Sequence, residues 1–266
     1  MPKEENGKKI KKIKINKKAI AVIFTNGERI DISQEAYTSN YLYIGKTLTK
    51  SEIEKLNKIT STKKLSEYSL SLLTKHHYTE WAMREKLYAK GGEKDDVNYV
   101  IKKLKELDLI NDKEFIEDYL GYAEEKNIGK NKIKQNLLKK GIFAEEIDKI
   151  KFNSSTEKKK AIALIPSLEN RYKKYSYNQK RQHVLQALLS KGFDIEVAKD
   201  AVDHLSKVDE KDEIKKLQID FKKSLEKYSK KYEGRELKER IMRNLISKGY
   251  KYNDINKLLG GVEDDF

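Results

Sequence analysis

Leu137-Leu138-Lys139-Lys140-Gly141 decides how this chain of 266 residues folds. Two aliphatic side chains followed by lysine and glycine form the signature of a helix end. Glycine adopts the positive φ of a C-cap, and the preceding lysine complements the carbonyl end of the dipole. The string recurs as Leu87-Tyr88-Ala89-Lys90-Gly91, Leu188-Leu189-Ser190-Lys191-Gly192 and Leu245-Ile246-Ser247-Lys248-Gly249, with the glycines 50, 51 and 57 residues apart. Eight residues before each glycine stand Met83, Ile133, Val184 and Ile241. Six residues after it stand Val97, Ile147, Ala198 and Ile255. A self-similar period of this size is the mark of a repeat architecture.

One copy can be read in physical terms. Positions eight, four and three before the glycine fall on one helix face and make that helix amphipathic. A further helix follows the glycine: Val97, Val100, Ile101, Leu104 and Leu107 keep helical spacing. Another precedes it, carried by Phe115, Ile116, Tyr119, Leu120 and Ala123 in the second copy and by Ile214, Leu217, Phe221, Leu225 and Tyr228 in the fourth. Each copy therefore reads as a three-helix module too small to bury much alone, so neighbours should stack. The first helices of copies three and four read longer, near 156–174 and 210–231, with Pro166 placed to kink the former.

The start of the chain differs. Ile10, Ile13 and Ile15 sit among lysines, the run Ala19–Phe24 is rich in β-formers, and Asn26-Gly27 leads to the alternating Ile30 and Ile32. This predicts a hairpin or three-stranded meander with positive φ at both turn residues. Thr49-Lys50-Ser51-Glu52 is a capping box, and the polar stretch from Asn57 to Lys64 reads as a linker. The expected fold class is all-α: four tandem three-helix repeats in an elongated or curved array behind a small β-rich N-terminal extension. The boundaries fall at 1–64, 65–110, 111–152, 153–207 and 208–266.

Composition narrows the function. With 58 Lys+Arg against 43 Asp+Glu the formal charge is +15, and charged residues make up 38% of the chain. A surplus of this sign suits a polyanionic partner, and it also serves solubility. The chain has no cysteine, which removes disulfides, iron–sulfur clusters, thiol nucleophiles and Cys-ligated zinc. Met1–Asn6 is polar and lacks the apolar core of a signal peptide, and Ala19–Phe24 is far short of the roughly 20 residues that span a bilayer. The expected protein is cytoplasmic and makes no membrane contact.

The motifs that could carry chemistry are incomplete. Gly45-Lys46-Thr47 resembles the end of a phosphate-binding loop, but position 40 is Asn40 where that loop needs glycine. The consecutive His76-His77 is a poor metal pair and reads as a plain helix end. Asp95-Asp96, Asp112 with Glu114, and Glu124-Glu125 read as complements of helix N-termini and as solvated faces. Trp81 reads as a packing residue. No catalytic set, cofactor site or metal site is expected.

Charge segregation does stand out. Residues 93–125 hold eleven acids against five lysines. Residues 126–143 hold Lys126, Lys130, Lys132, Lys134, Lys139 and Lys140 with no acid, and residues 170–193 hold Arg171, Lys173, Lys174, Lys180, Arg181 and Lys191, again with none. The fourth copy places Arg235, Lys238, Arg240, Arg243 and Lys248 at the equivalent position, diluted by Glu236 and Glu239. Tyr172, Tyr175 and Tyr177 interleave with the second stretch. Cations for phosphates and aromatic faces for bases are the ingredients of single-strand binding, against the plainer reading of a lysine-rich surface over half-buried tyrosines.

Three strings resemble the RecX family of regulatory proteins. Leu107–Phe115 is similar to the family's boundary between first and second repeats, with Asn111-Asp112 where the family usually shows two aspartates. Gly129–Ile142 is similar to its pattern of glycine, basic residues, Ile, Leu and a closing Lys-Gly. Tyr78-Thr79 leading to Arg84, Leu87 and Gly91 matches its first repeat. The resemblance covers about residues 65–205, and the β-rich start and fourth copy look like the long form of Gram-positive bacteria. It implies a non-catalytic protein that binds the filament of the RecA recombinase on DNA; a monomer without cofactor is expected. The implied effect is suppression of RecA's ATPase, strand-exchange and coprotease activities, with the basic residues above as filament or DNA contacts. The alternative is a protein that binds single- or double-stranded nucleic acid without RecA.

Overall fold

The computed structural model describes residues 7–16 and 19–260; the polar opening Met1–Asn6 and the last six residues lie outside them. The chain forms two compact units, residues 1–117 with 139–143, and residues 118–138 with 144–266. It is mostly helical behind a small antiparallel sheet.

The first unit opens with β1 (Lys8–Ile15), β2 (Ile20–Phe24) and β3 (Arg29–Ile32), then α1 (Gln34–Ser39) and β4 (Thr47–Leu48). The sheet has four strands in the order β3-β2-β1-β4, one more than the expected meander, because the two-residue β4 is too short to leave a periodic signal. The expected hairpin forms between β2 and β3, with a turn that differs in detail. Gly27 alone takes positive φ, and Phe24 pairs with Glu28 across three residues, so the turn is a three-residue loop with glycine in the left-handed position.

α2 (Lys50–Leu73) begins at the expected capping box of Thr49 and Glu52. It runs unbroken through Asn57–Lys64, which corrects the linker reading: that stretch contains neither proline nor glycine. The packing partner does change there. Ile53, Leu56 and Ile59 face the sheet core, whereas Leu65, Tyr68, Leu72 and Leu73 pack with Met83, Leu87, Val97 and Ile101. One helix thus serves two cores. α3 (Glu80–Ala89) and α4 (Lys94–Glu106) complete the second of them.

α5 (Asp112–Glu125) and α6 (Lys130–Lys139) run from one unit into the other. The second unit continues with α7 (Ala144–Asp148), α8 (Ser154–Ala163), α9 (Ile165–Arg171), α10 (Tyr177–Ser190), α11 (Ile195–Val202), α12 (Glu210–Tyr228), α13 (Gly234–Ser247) and α14 (Tyr252–Gly260). Pro166 does more than kink the long helix read at 156–174. The helix stops at Leu164 and restarts as α9, because proline supplies no N–H and its ring clashes with the turn before it. The third copy therefore holds four helices.

The glycine signature describes real helix ends. Gly91, Gly141, Gly192 and Gly249 have φ of 89°, 79°, 93° and 81°. Every residue eight before, four before and six after them is buried at 2% exposure or less. The position three before is different: Tyr88, Leu138 and Ile246 are exposed, since a step of 100° from the buried leucine carries it off the core face.

Candidate nucleic-acid interface

Three of the helices that end in Lys-Gly, α6, α10 and α13, are engaged at that end by the start of an earlier one. In the first unit Thr79 Oγ1, the N-cap of α3, donates to the Lys140 carbonyl at 2.5 Å. In the second unit the Gly129 amide donates to the Lys191 carbonyl at 2.9 Å, and Ser176 Oγ, the N-cap of α10, donates to the Lys248 carbonyl. A carboxylate then accepts the first helical N–H in each case: Asp112 from Glu80 (2.8 Å), Glu157 from Lys130 (2.9 Å) and Glu213 from Tyr177 (2.9 Å). Orphan amides and orphan carbonyls are satisfied together, and the anion sits at the positive end of a dipole.

These contacts fix how the basic residues are spent. Lys130 pairs with Asp194, which also accepts from Asn131, and Lys134 pairs with Asp148 at 3.3 Å. The ammonium of Lys130 holds the Asp194 carboxyl below its ordinary range, with Asn131 adding to the effect. Lys191 Nζ donates to the Lys126 carbonyl at 3.3 Å. Lys180 pairs with Glu169 at 3.4 Å. Arg181 pairs with Asp203 at 2.8 Å and lies 5.9 Å from the Tyr177 ring centroid.

On α13 the dilution seen in sequence is a pairing in space. Arg235 and Arg243 both meet Glu239, and Arg240 meets Glu236 while lying over the Tyr232 ring at 4.8 Å. Lys238 is half-buried on the same helix. Lys248 pairs with Asp220 at 2.8 Å, and the Tyr250 hydroxyl donates to the other oxygen of that carboxylate. Burial, then the bond to Asp220, drives the Tyr250 phenol far above its ordinary pKa.

What remains is a shorter set. Among the described residues, the side chains of Lys126, Lys132, Lys139, Lys140, Lys173 and Lys174 have no ion pair, and all but the half-buried Lys132 are exposed. Lys139 and Lys140 belong to the first unit and the other four to the second. Arg171 lies 5.5 Å from the Tyr172 centroid. Tyr172 and Tyr175 close on His183 at 5.2 Å and 4.4 Å, so Tyr172 has one face stacked within the fold, while Tyr175 keeps 40% of its surface in solvent.

The acidic stretch 93–125 divides in the same way. Asp96 is buried and accepts from Thr62 Oγ1, and Asp112 caps α3. Glu124 and Glu125 lie at the C-terminal end of α5, where they cannot complement an N-terminus and stand in solvent. Trp81 lays its side chain over Gly141, leaving no room for a Cβ there, in line with a packing role. Sequence reading missed the capping carboxylates Glu157 and Glu213, since each acts on a residue 27 or more positions away. Among the described residues no cluster of three His, Asp or Glu is arranged to hold a metal, and no helix is long and apolar enough to cross a membrane.

No family model matches the sequence. Its relatives do agree with one another. The regulatory protein RecX of Listeria innocua is 27% identical over 255 residues, covering 94% of each chain. That of Streptococcus gordonii is 28% identical over 264 residues, covering 94% of this chain and 98% of its own. Over nearly its whole length the chain is similar to proteins of the RecX family. A crystal structure of regulatory protein RecX matches with a TM-score of 0.56 at 24% identity, covering 74% of this chain and all of its own, and it supports the helical fold. The match with the Listeria and Streptococcus proteins includes the β-rich start and the fourth copy that look like the long Gram-positive form.

Proposed function

We propose that this chain regulates RecA by binding the filament that RecA forms on DNA, and that it inhibits RecA's ATPase, recombinase and coprotease activities without chemistry of its own. The name carried by the relatives over nearly their whole length supports this reading. The observation that supports the mode of action lies among the basic candidates themselves: Lys126, Lys132, Lys139, Lys140, Lys173 and Lys174 have no ion pair among the described residues, whereas Lys130, Lys134, Lys180 and Arg181 are paired. Unpaired exposed lysines keep their charge for phosphates or acidic side chains, whereas a paired cation must first give up its partner.

In this reading the helices group into four repeats after the sheet, each built around one Lys-Gly helix. The first repeat begins inside α2, near Leu65, where the packing changes from sheet core to helical core. The protein acts in the cytoplasm as a monomer and needs no cofactor. Lys126, Lys132, Lys139, Lys140, Lys173 and Lys174 are the leading contacts, with Tyr175 as a stacking face. The arginines of α13 contribute less, because Glu236 and Glu239 already neutralise them.

Co-sedimentation with RecA filaments assembled on single-stranded DNA tests the proposal. The chain should pellet with filaments and stay in solution with RecA alone at the same concentration. A second reading, nucleic-acid binding without RecA, is favoured by the adjacent unpaired Lys173 and Lys174 beside Tyr175. It predicts equal sedimentation with naked DNA and with filaments.

A further inference from the structure

The N-terminal sheet carries cations that the helical interface does not use. β1 reads Lys-Lys-Ile-Lys-Lys-Ile-Lys-Ile and contains no acid. Strict alternation would place Ile10 and Lys12 on one face and bury a lysine. A bulge between Ile10 and Lys12 resets the register: Ile10 opposes Phe24 and Ile13 opposes Val22, both on the core face, while Lys12 and Lys14 oppose Ile23 and Ala21 on the other. Lys9, opposite Thr47, and the bulged Lys11 are exposed as well. Of the β1 lysines only Lys8 has an ion pair, with Glu28; Lys9, Lys11, Lys12 and Lys14 have none among the described residues.

The loop that follows α1 closes against the same strand. Gly45 donates to the Ile10 carbonyl at 2.9 Å and Ile10 donates to Lys46 at 2.8 Å. Within that loop Leu42 is buried in the sheet core, while its neighbours Tyr41 and Tyr43 are 84% and 63% exposed. Tyr41 holds φ at +45°, a left-handed position after a helix end where glycine or asparagine is the comfortable residue. A bulky aromatic kept on strained backbone and turned to water earns nothing for the fold, and such strain is characteristic of binding sites.

We infer that Lys9, Lys11, Lys12 and Lys14, with Tyr41 and Tyr43, form a contact for single-stranded nucleic acid: a row of ammonium groups for successive phosphates beside aromatic faces for bases. β4 pairs only with Lys8 and Lys9, so lysines further along β1 also discourage pairing at the edge it leaves open, but that role leaves Tyr41 unexplained. This contact uses none of the helical lysines and needs no RecA.

The test uses the full chain, without RecA, and a fluorescein-labelled thymidine oligomer of roughly 30 nucleotides, long enough for stacking along the strand. Binding is followed by anisotropy against salt. Replacing Lys9, Lys11, Lys12 and Lys14 by Gln should lower the magnitude of the log K against log salt slope by about 2 to 3, as the loss of four phosphate contacts requires. Tyr41→Gly should weaken binding about tenfold while leaving the melting temperature unchanged or higher, because glycine relieves the left-handed strain; Tyr41→Trp should retain affinity. An unchanged slope, or Tyr41→Gly binding at full strength, overturns the inference. So does loss of binding to phosphatidylserine vesicles with oligonucleotide binding intact, which would assign the lysines to a lipid surface. A chain that ignores RecA filaments and still shows the slope change would keep this inference and lose the filament reading.

Discussion

Glu157 accepts the backbone amide of Lys130 at 2.9 Å and, with its other carboxylate oxygen, pairs with Lys160, all in a place nearly closed to solvent. Lys160 in turn donates to the Ile128 carbonyl at 2.7 Å. One carboxylate therefore caps α6, neutralises a buried ammonium and ties α8 to the turn before α6. Glu157→Ala should cost about 3–5 kcal/mol, the range for breaking one partner out of a buried pair. Urea denaturation of wild type and variant measures it, and a loss below about 1 kcal/mol would mean that Lys160 finds solvent or another acceptor.

The repeated glycines separate two effects that usually come mixed. Gly91 and Gly192 share a left-handed φ, but a Cβ at 91 meets open space, whereas one at 192 overlaps the backbone of Lys132. Gly91→Ala should cost only the conformational term, about 1–2 kcal/mol. Gly192→Ala should cost at least about 2 kcal/mol more, because the contact it forces is with backbone rather than a flexible side-chain end. Equal midpoints for the two variants in a denaturant series would show that α6 and α10 do not meet as described.

These glycines also show what the sequence could disclose. Periodicity identified every buried residue four before, eight before and six after them, because those side chains answer to one local helix and one core. Asp112, Glu157 and Glu213 left no such trace: each caps a helix that begins 27 to 36 residues earlier. The same holds for α2, where a polar stretch reads as a linker until the two cores on either side of it are seen to share one helix. Of the basic candidates, residue type showed all seventeen positions, but only geometry separates Lys173 and Lys174, which are unpaired, from Lys180 and Arg181, which are held by Glu169 and Asp203.

Stability toward acid should depend in part on Asp194. Its carboxyl is held below the ordinary range, chiefly by Lys130 and then by Asn131. A depressed carboxylate binds protons less readily folded than unfolded, so its contribution is present at neutral pH and is lost as pH falls through the folded-state value. The pair is more than a third exposed, which limits the effect to less than about 1 kcal/mol. Asp194→Asn should therefore lower the melting temperature slightly near neutrality and leave it unchanged in strong acid. A deficit that persists in strong acid would assign Asp194 a role other than its charge.

Lys132, Lys139, Lys140, Lys173 and Lys174 should matter for binding and little for stability, since none carries an ion pair. Replacing the five by Ala should leave the melting temperature within a few degrees of wild type and weaken binding to RecA filaments at least about tenfold, with a shallower salt dependence. Replacing Arg235, Arg240 and Arg243 should weaken it far less, as their charges are already met by Glu236 and Glu239. The reverse ranking in a filament-binding titration would move the interface to α13.

The most direct measurement is ATP hydrolysis by RecA on single-stranded DNA, titrated with this chain. Inhibition should set in below one molecule per RecA protomer and should require more protein for the five-lysine variant. Hydrolysis that proceeds unchanged at equimolar folded protein would contradict the assignment of this chain as a regulator of the RecA filament.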